Sequence, residues 1–396
     1  MRKLHLLWLI VLTLWATGAA ASVHEAQYRA HPPTLRAPAA ASPASFTPAA
    51  NGDRYVVGYY PHWADDFADI PFDLLDEVIY FGAQVELDGS LSEMNGWPPA
   101  DLIAAAHDEG CRVTLCLIDF SPSEQRDLLN SASRRAALID NLVDAVVEAG
   151  ADGVNFDFEA LPVDVKSQFV ALVQDAATAL AEQIDAPAVS VATPAIDWAG
   201  AYDFDQLAAA GRLFVMAYDY HWSSSDPGPI APLYGSDRWG DYAYDWTIDD
   251  YRAYIAPYGT DRVMLGLPLY GYDWPSLDAS VPGEATGAAD AWTIVGAWDF
   301  AAQQGGGDWD DASSTPYLIY QDGAQTRQLW YEDLDSLALK IQFAIDEEVG
   351  GIGFWALTYE RGDEDFWQLI ADYRAGGDVG DDDFFDDDDD DDGCGC

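Results

Sequence analysis

Two hydrophobic patterns alternate along most of the chain. Eight short runs rich in β-branched and aromatic residues, at 55–60, 77–82, 112–118, 153–158, 188–193, 213–218, 263–269 and 351–357, have the length and composition of buried strands. Most gaps between them carry helix signals. Ser121-Pro122-Ser123-Glu124 combines an N-cap serine, proline at the first helical position and a capping-box glutamate. Ile139, Leu142, Val143, Val146 and Val147 then recur at helical spacing up to Gly150. Similar stretches cover 164–184, 335–348 and 363–374, and shorter ones end at Gly110 and Gly211. Strands alternating with helices predict an α/β protein with parallel sheet, and eight of them at this length predict a closed (β/α)8 TIM barrel. The rhythm breaks once. The Gly/Trp/Asp-rich stretch from about 272 to 333, with a strand-like piece at 317–320, is too long for an ordinary βα loop. It reads as a small α+β insertion between strands seven and eight, over the carboxyl-terminal face where barrel enzymes keep their sites.

The ends of the chain differ from this body. Arg2 and Lys3 precede an apolar run from Leu4 to Trp15 and then Ala19-Ala20-Ala21, which predicts a secretion signal over 1–21 and a secreted or cell-surface protein. The run is too short to span a bilayer. Residues 22–52 hold Pro32, Pro33, Pro38, Pro43 and Pro48 among alanines and serines and read as an extended linker, with the folded domain over 53–375. Residues 376–396 form an acidic tail, expected to be disordered, that ends in Asp386 to Asp392 and Cys394-Gly395-Cys396. This tail fits a processing or attachment signal, a weak cation site or a solvated extension. Two thiols one residue apart do not match the usual zinc spacing. Cys111 and Cys116 lie five residues apart in one strand region, so they face opposite ways and are not expected to pair.

Charge narrows the partners. The 396 residues carry 69 Asp and Glu against 18 Lys and Arg, a net charge of -51. Only 11 of the acids follow Gly376, so the excess belongs to the body. No basic face is available for phosphate, which argues against nucleic acid and acidic membranes. Self-repulsion on this scale is relieved as salt shortens the screening length, and the expectation is a protein adapted to high salt.

The segment with most chemistry is Asp152-Gly153-Val154-Asn155-Phe156-Asp157-Phe158-Glu159. In a strand, Asn155, Asp157 and Glu159 share one face and Val154, Phe156 and Phe158 the other. In a barrel the polar set must face the interior. Two neighbouring buried carboxyls raise the pKa of one of them, as a general acid working near neutral pH requires.

This segment resembles the Asp-x-x-Asp-x-Asp-x-Glu signature of glycoside hydrolase family 18. Val57-Gly58-Tyr59-Tyr60, Met216-Ala217-Tyr218-Asp219 and Gly351-Ile352-Gly353-Phe354-Trp355 are similar to that family's first, sixth and eighth strands, in order. Trp330-Tyr331-Glu332-Asp333 resembles the branch of bacterial spore-cortex and cell-wall glucosaminidases. The resemblance implies retaining hydrolysis of β-1,4 linkages of N-acetylglucosamine polymers, chitin or peptidoglycan, with the substrate's own acetamido group as nucleophile. It implies catalytic roles for Glu159, Asp157, Tyr218 and Asp219, and substrate contacts from Trp355, Tyr59, Asn155 and Met216. No metal or cofactor is implied, and a monomer is expected. Asn155 replaces the family's second Asp, where it is expected to hydrogen-bond Asp157. Phe81-Gly82-Ala83 predicts a looser wall on the second strand, and Trp63, Trp97, Trp222, Trp239 and Trp274 are candidates for stacking on sugars. A catalytically silent barrel that binds the same glycans is the alternative, since barrels of this kind can keep a sugar site without its chemistry.

Overall fold

The computed structural model describes residues 22–30, 54–64, 67–255, 259–377 and 379. The expected secretion signal, most of the expected linker and the tail from residue 380 onward lie outside the described residues.

Eight parallel strands form the barrel: Tyr55–Pro61, Glu77–Val85, Arg112–Asp119, Gly153–Phe158, Ala188–Pro194, Arg212–Met216, Val263–Pro268 and Gly351–Trp355. Each pairs with its neighbour in the sequence, and the first closes the ring by pairing with both the second and the eighth. The alternation read from the fourth strand holds. Phe156 and Phe158 point outward onto Phe169 of the helix Lys166–Ala181, with ring centroids 6.4 and 5.4 Å away. Asn155 and Asp157 are fully buried inside the barrel. Gly153 is required at the start of this strand, because a Cβ there would lie 1.8 Å from the carbonyl oxygen of Ala188 on the fifth.

Local chemistry sets the helices as expected. Ser121 caps Pro122–Leu129, accepting the Glu124 amide. A second helix, Ala132–Ala149, follows at once under a Ser131 cap and stops at Gly150, whose φ of 67° suits a residue without a side chain. Asp333 and Ser336 form a reciprocal capping box on Leu334–Asp346. Cys111 and Cys116 are both buried free thiols.

The insertion is a five-stranded antiparallel sheet carrying the helix Ile294–Gln303. It opens at Tyr270, two residues after the seventh barrel strand ends. Its expected strand piece at 317–320 is the centre of Thr315–Asp322.

Two expectations change. The stretch from residue 22 is not extended throughout, because Val23–Ala30 is a helix with Val23, His24, Gln27 and Tyr28 buried. At the other end the body continues past Arg374. Val379 is fully buried and its amide donates to Gln342 Oε1 (3.0 Å), while Gly377 accepts from Arg54.

Candidate active site

The carboxyl ends of the fourth, sixth and eighth strands bring the signature residues into one cluster. Asp157 is the penultimate residue of its strand and Glu159 the first beyond it. The loop that carries Glu159 is pinned from below by Gln125, whose Nε2 donates to the carbonyls of both Asp119 (2.6 Å) and Glu159 (2.7 Å). Glu159 keeps only 9% of its surface exposed. Burial first, and the nearby Asp157 second, push its carboxyl up to about 8. Burial likewise holds the Asp157 carboxyl well above the ordinary range. A carboxyl that stays protonated at neutral pH can donate a proton, so this strand presents an acid rather than two anions.

Asn155 supports this arrangement from below, but not as expected. Its Oδ1 accepts from the Tyr59 hydroxyl (3.1 Å) and the Cys116 thiol (3.2 Å), and its Nδ2 donates to Ser190 Oγ (2.9 Å). None of these bonds goes to Asp157. The reason is register: Cys116 and Ser190 are the residues paired with Asn155 on the two flanking strands, so its amide is satisfied sideways. Asp157 Oδ1 is left buried without a hydrogen-bond partner.

Beyond the sixth strand the chain turns through Asp219, at φ 60° in the left-handed region. There its Oδ1 accepts from the Tyr270 hydroxyl at the root of the insertion. Burial raises its carboxyl to about 6. Tyr218 is buried beside it. Trp355 ends the eighth strand as the floor of the cluster, with Phe81 edge-on at 4.9 Å and Tyr59 at 5.4 Å. The second strand therefore supplies aromatic bulk after all, because Phe81 turns inward against the floor. Met216 joins Glu159, Tyr218 and Asp219 in lining a cavity of about 450 Å³.

The other tryptophans divide. Trp222 and Trp239 line that cavity, and Trp63 lines a neighbouring one of about 540 Å³. Trp97 and Trp274 are buried elsewhere, the former donating to the Ala145 carbonyl. Sequence reasoning missed Trp198 and Tyr242, which pack edge to face at 4.8 Å on the rim of the first cavity. It also missed His24 and its neighbours on the amino-terminal helix.

His24 sits in the centre of the cluster. Its Nδ1 lies 2.8 Å from Asp157 Oδ2 and its Nε2 lies 2.8 Å from the Tyr218 hydroxyl. The imidazole stacks on Trp355 with centroids 3.7 Å apart. Burial lowers its pKa to about 4, so it is neutral, with one nitrogen donating and the other accepting. A ligand atom each from His24, Asp157 and Glu159 lies within 4.8 Å of the others, the one such group among the described residues. The direct His24–Asp157 hydrogen bond already engages two of the three. A sequence signal for this helix exists. Ser22-Val23-His24-Glu25 has the spacing of a capping box, and His24, Gln27 and Tyr28 fall at i, i+3 and i+4.

Comparison with known proteins agrees with the motifs. The sequence profile of Glycosyl hydrolases family 18 matches residues 55–360. YdhD of Bacillus subtilis (strain 168), whose name makes it a sporulation-specific glycosylase, is 28% identical over 251 residues, covering 60% of this chain and 54% of its own. The chain thus spans about half the length of that relative. Human (Homo sapiens) di-N-acetylchitobiase is 26% identical over 309 residues, covering 68% of this chain and 75% of its own. Among solved structures, the spore cortex-lytic enzyme SleL of Bacillus megaterium QM B1551 superposes with a TM-score of 0.65 at 23% identity. That match covers 81% of this chain and 74% of SleL and establishes likeness of fold.

Proposed function

The chain belongs to the glycosyl hydrolases of family 18, and from that premise we propose that it is a secreted hydrolase of β-1,4 linkages following N-acetylglucosamine, in chitin or peptidoglycan, acting by substrate-assisted retention. The observation that carries this reading is an acid with its pKa raised to about 8, Glu159, beside a second buried carboxyl and over an aromatic floor, at the carboxyl end of the barrel. The names of two relatives, a sporulation-specific glycosylase and a di-N-acetylchitobiase, support glycoside cleavage, the second on an N-acetylated sugar. The positively charged, apolar and small-residue pattern of the first 21 residues supports export.

In the proposed reaction Glu159 gives its proton to the glycosidic oxygen as the C–O bond breaks. The carbonyl oxygen of the sugar's 2-acetamido group attacks the anomeric carbon from the opposite face, closing an oxazolinium ring. Asp157 Oδ1, the buried acceptor without a partner, is suited to take the acetamido N–H and to stabilise the positive charge that develops on the ring. Tyr218 and Asp219 would hold the acetamido carbonyl and the distorted sugar, with Trp355 against its apolar face. Glu159, now a carboxylate, then takes a proton from water as the water opens the ring, which restores the acid and retains the anomeric configuration.

Product analysis by mass spectrometry on chitooligosaccharides and on peptidoglycan tests this, with Glu159→Gln alongside. The variant is expected to lose at least about a hundredfold in turnover while keeping its circular dichroism spectrum, on the usual contribution of a general acid. An unimpaired rate would remove Glu159 from that role. The polymer that is cut names the substrate.

A further inference from the structure

The amino-terminal helix occupies the place where a sugar would bind. Ser22 Oγ donates to Glu159 Oε1 (2.7 Å), on the carboxyl that would face the glycosidic oxygen. The Val23 amide donates to Asp219 Oδ2 (3.1 Å). His24 takes Asp157 and Tyr218 and lies flat on Trp355, as a sugar ring would. Gln27 Oε1 accepts from Trp355 Nε1 (3.2 Å) and from the Tyr359 hydroxyl (2.7 Å). Each side chain assigned above to catalysis or to holding the acetamido sugar is therefore engaged by four residues of one short segment. Trp355 and Asp157 are fully covered, and no sugar can reach them while the helix stays.

The surroundings of the helix fit an occupant rather than a building block. The barrel closes through its own eight strands and draws no strand from this segment. The two cavities lie at opposite ends of the helix, one lined by Ser22 and Val23 and the other by Ala26, Gln27 and Ala30. Removing the helix would join them into one groove running past Trp355, of the size that ligand clefts have. The helix also meets the site with polar groups, which a packing element would seldom do. Its burial leaves Asp157, Glu159, Tyr218 and Asp219 hydrogen-bonded where an empty dry site would not.

We propose that residues 22–30 are an autoinhibitory plug, a substrate mimic that fills the acetamido-sugar subsite and must withdraw before the enzyme binds glycan. Cleavage after Ala21, where the small-residue pattern ends, would leave Ser22 as the first residue of the exported chain. The plug is tied to the barrel through residues 31–53, and a tether of that length gives an effective concentration on the order of millimolar. A segment that binds in trans with a dissociation constant of roughly 0.1 mM would then be seated about ten times as often as not, and would weaken substrate binding about tenfold. Cutting the tether would relieve this permanently.

The inference rests on this cleft being the glycan site proposed above, and the test separates the two. The whole exported chain is prepared with a unique protease site between Pro38 and Pro43. Equilibrium affinity for an N-acetylglucosamine oligosaccharide, and turnover of its fluorogenic derivative, are measured before and after cleavage and dilution. Release is expected to tighten binding and lower KM at least about tenfold with a smaller change in kcat. A synthetic peptide of residues 22–30 should restore the weak binding competitively, and a His24→Ala/Gln27→Ala chain should reproduce the released state without cleavage. Affinity that release and the double variant both leave unchanged, including no binding in any state, overturns the plug. Tighter binding after release with no turnover in any state upholds the plug and refutes the hydrolase reading instead.

Discussion

At the scale of single residues, the site turns on which carboxyl keeps its proton. Glu159 is raised to about 8 chiefly by burial, with Asp157 adding to the shift. The protonated form is the competent acid, and the value of about 8 belongs to the site with the amino-terminal helix seated; with glycan in its place kcat is expected to fall on the alkaline side as the carboxyl, still raised by burial and by Asp157, loses its proton. Asp157→Asn removes the second cause and leaves the first. It should therefore lower the rate and also move the alkaline limb of the kcat profile to lower pH. A limb that stays in place would show that Asp157 does not couple to the acid. The motif alone revealed this pair, because strand alternation fixes which side chains share a face. It did not reveal where Asn155 would spend its hydrogen bonds, since Ser190 and Cys116 meet it only through the register of the two flanking strands. That information is distributed over three segments and no local pattern contains it.

At the scale of elements, legibility followed the match between local pattern and burial. The barrel strands were readable to within a few residues because they are short, mostly apolar runs with turns on either side. The start of the insertion was read late because the chain passes from the seventh strand through Leu269 directly into Tyr270–Ser276, with no turn residue between. The plug helix was hidden for a different reason. Two of its four buried residues, His24 and Gln27, are polar and face a polar site, so only Val23 and Tyr28 mark its inward face, and the prolines after it dominate the composition. The insertion also shows how a rare cation is used in an acidic chain. Lys340, one of three lysines, is fully buried on Leu334–Asp346, and its Nζ donates to the fully buried Glu332 (2.6 Å) at the insertion's exit. Removing one partner of such a pair costs about 3–5 kcal/mol, because the other charge is stranded. Lys340→Met should lower the unfolding free energy by about that much in a urea titration, and Lys340→Met/Glu332→Leu should recover most of it. A single variant as stable as the parent would mean that Glu332 is folded as the neutral acid, which is the direction in which burial pushes it.

For the whole molecule the governing quantity is a charge of -51, most of it spread over the body. Two salt effects oppose each other. Screening weakens attractive surface pairs such as Arg126–Asp164, which is exposed on both sides and adds little stability. It also weakens repulsion among acids that outnumber bases by 69 to 18, and this second effect acts on many more pairs. The sign is therefore set by repulsion. The urea midpoint is expected to rise as sodium chloride goes from about 0.1 to 1 M, where the screening length shrinks from about 10 to about 3 Å. Protons should act in the same sense. Glu159, Asp219, Asp119 and Glu360 are raised by burial to about 8, 6, 7 and 7, so the folded chain holds protons that the unfolded chain releases near ordinary carboxyl values. Stability is then fully present below those ordinary values, falls as pH rises from about 4 through about 8, and is flat above. The two dependences are coupled, because bringing the pH down removes part of the charge that salt would screen. The gain from salt should be larger at pH 8 than at pH 5. Sucrose, which is excluded from the surface but screens nothing, should raise the midpoint by a similar amount at both pH values. A midpoint that sodium chloride leaves unchanged at pH 8 would show that the acidic body is not under electrostatic strain and would end the case for adaptation to high salt.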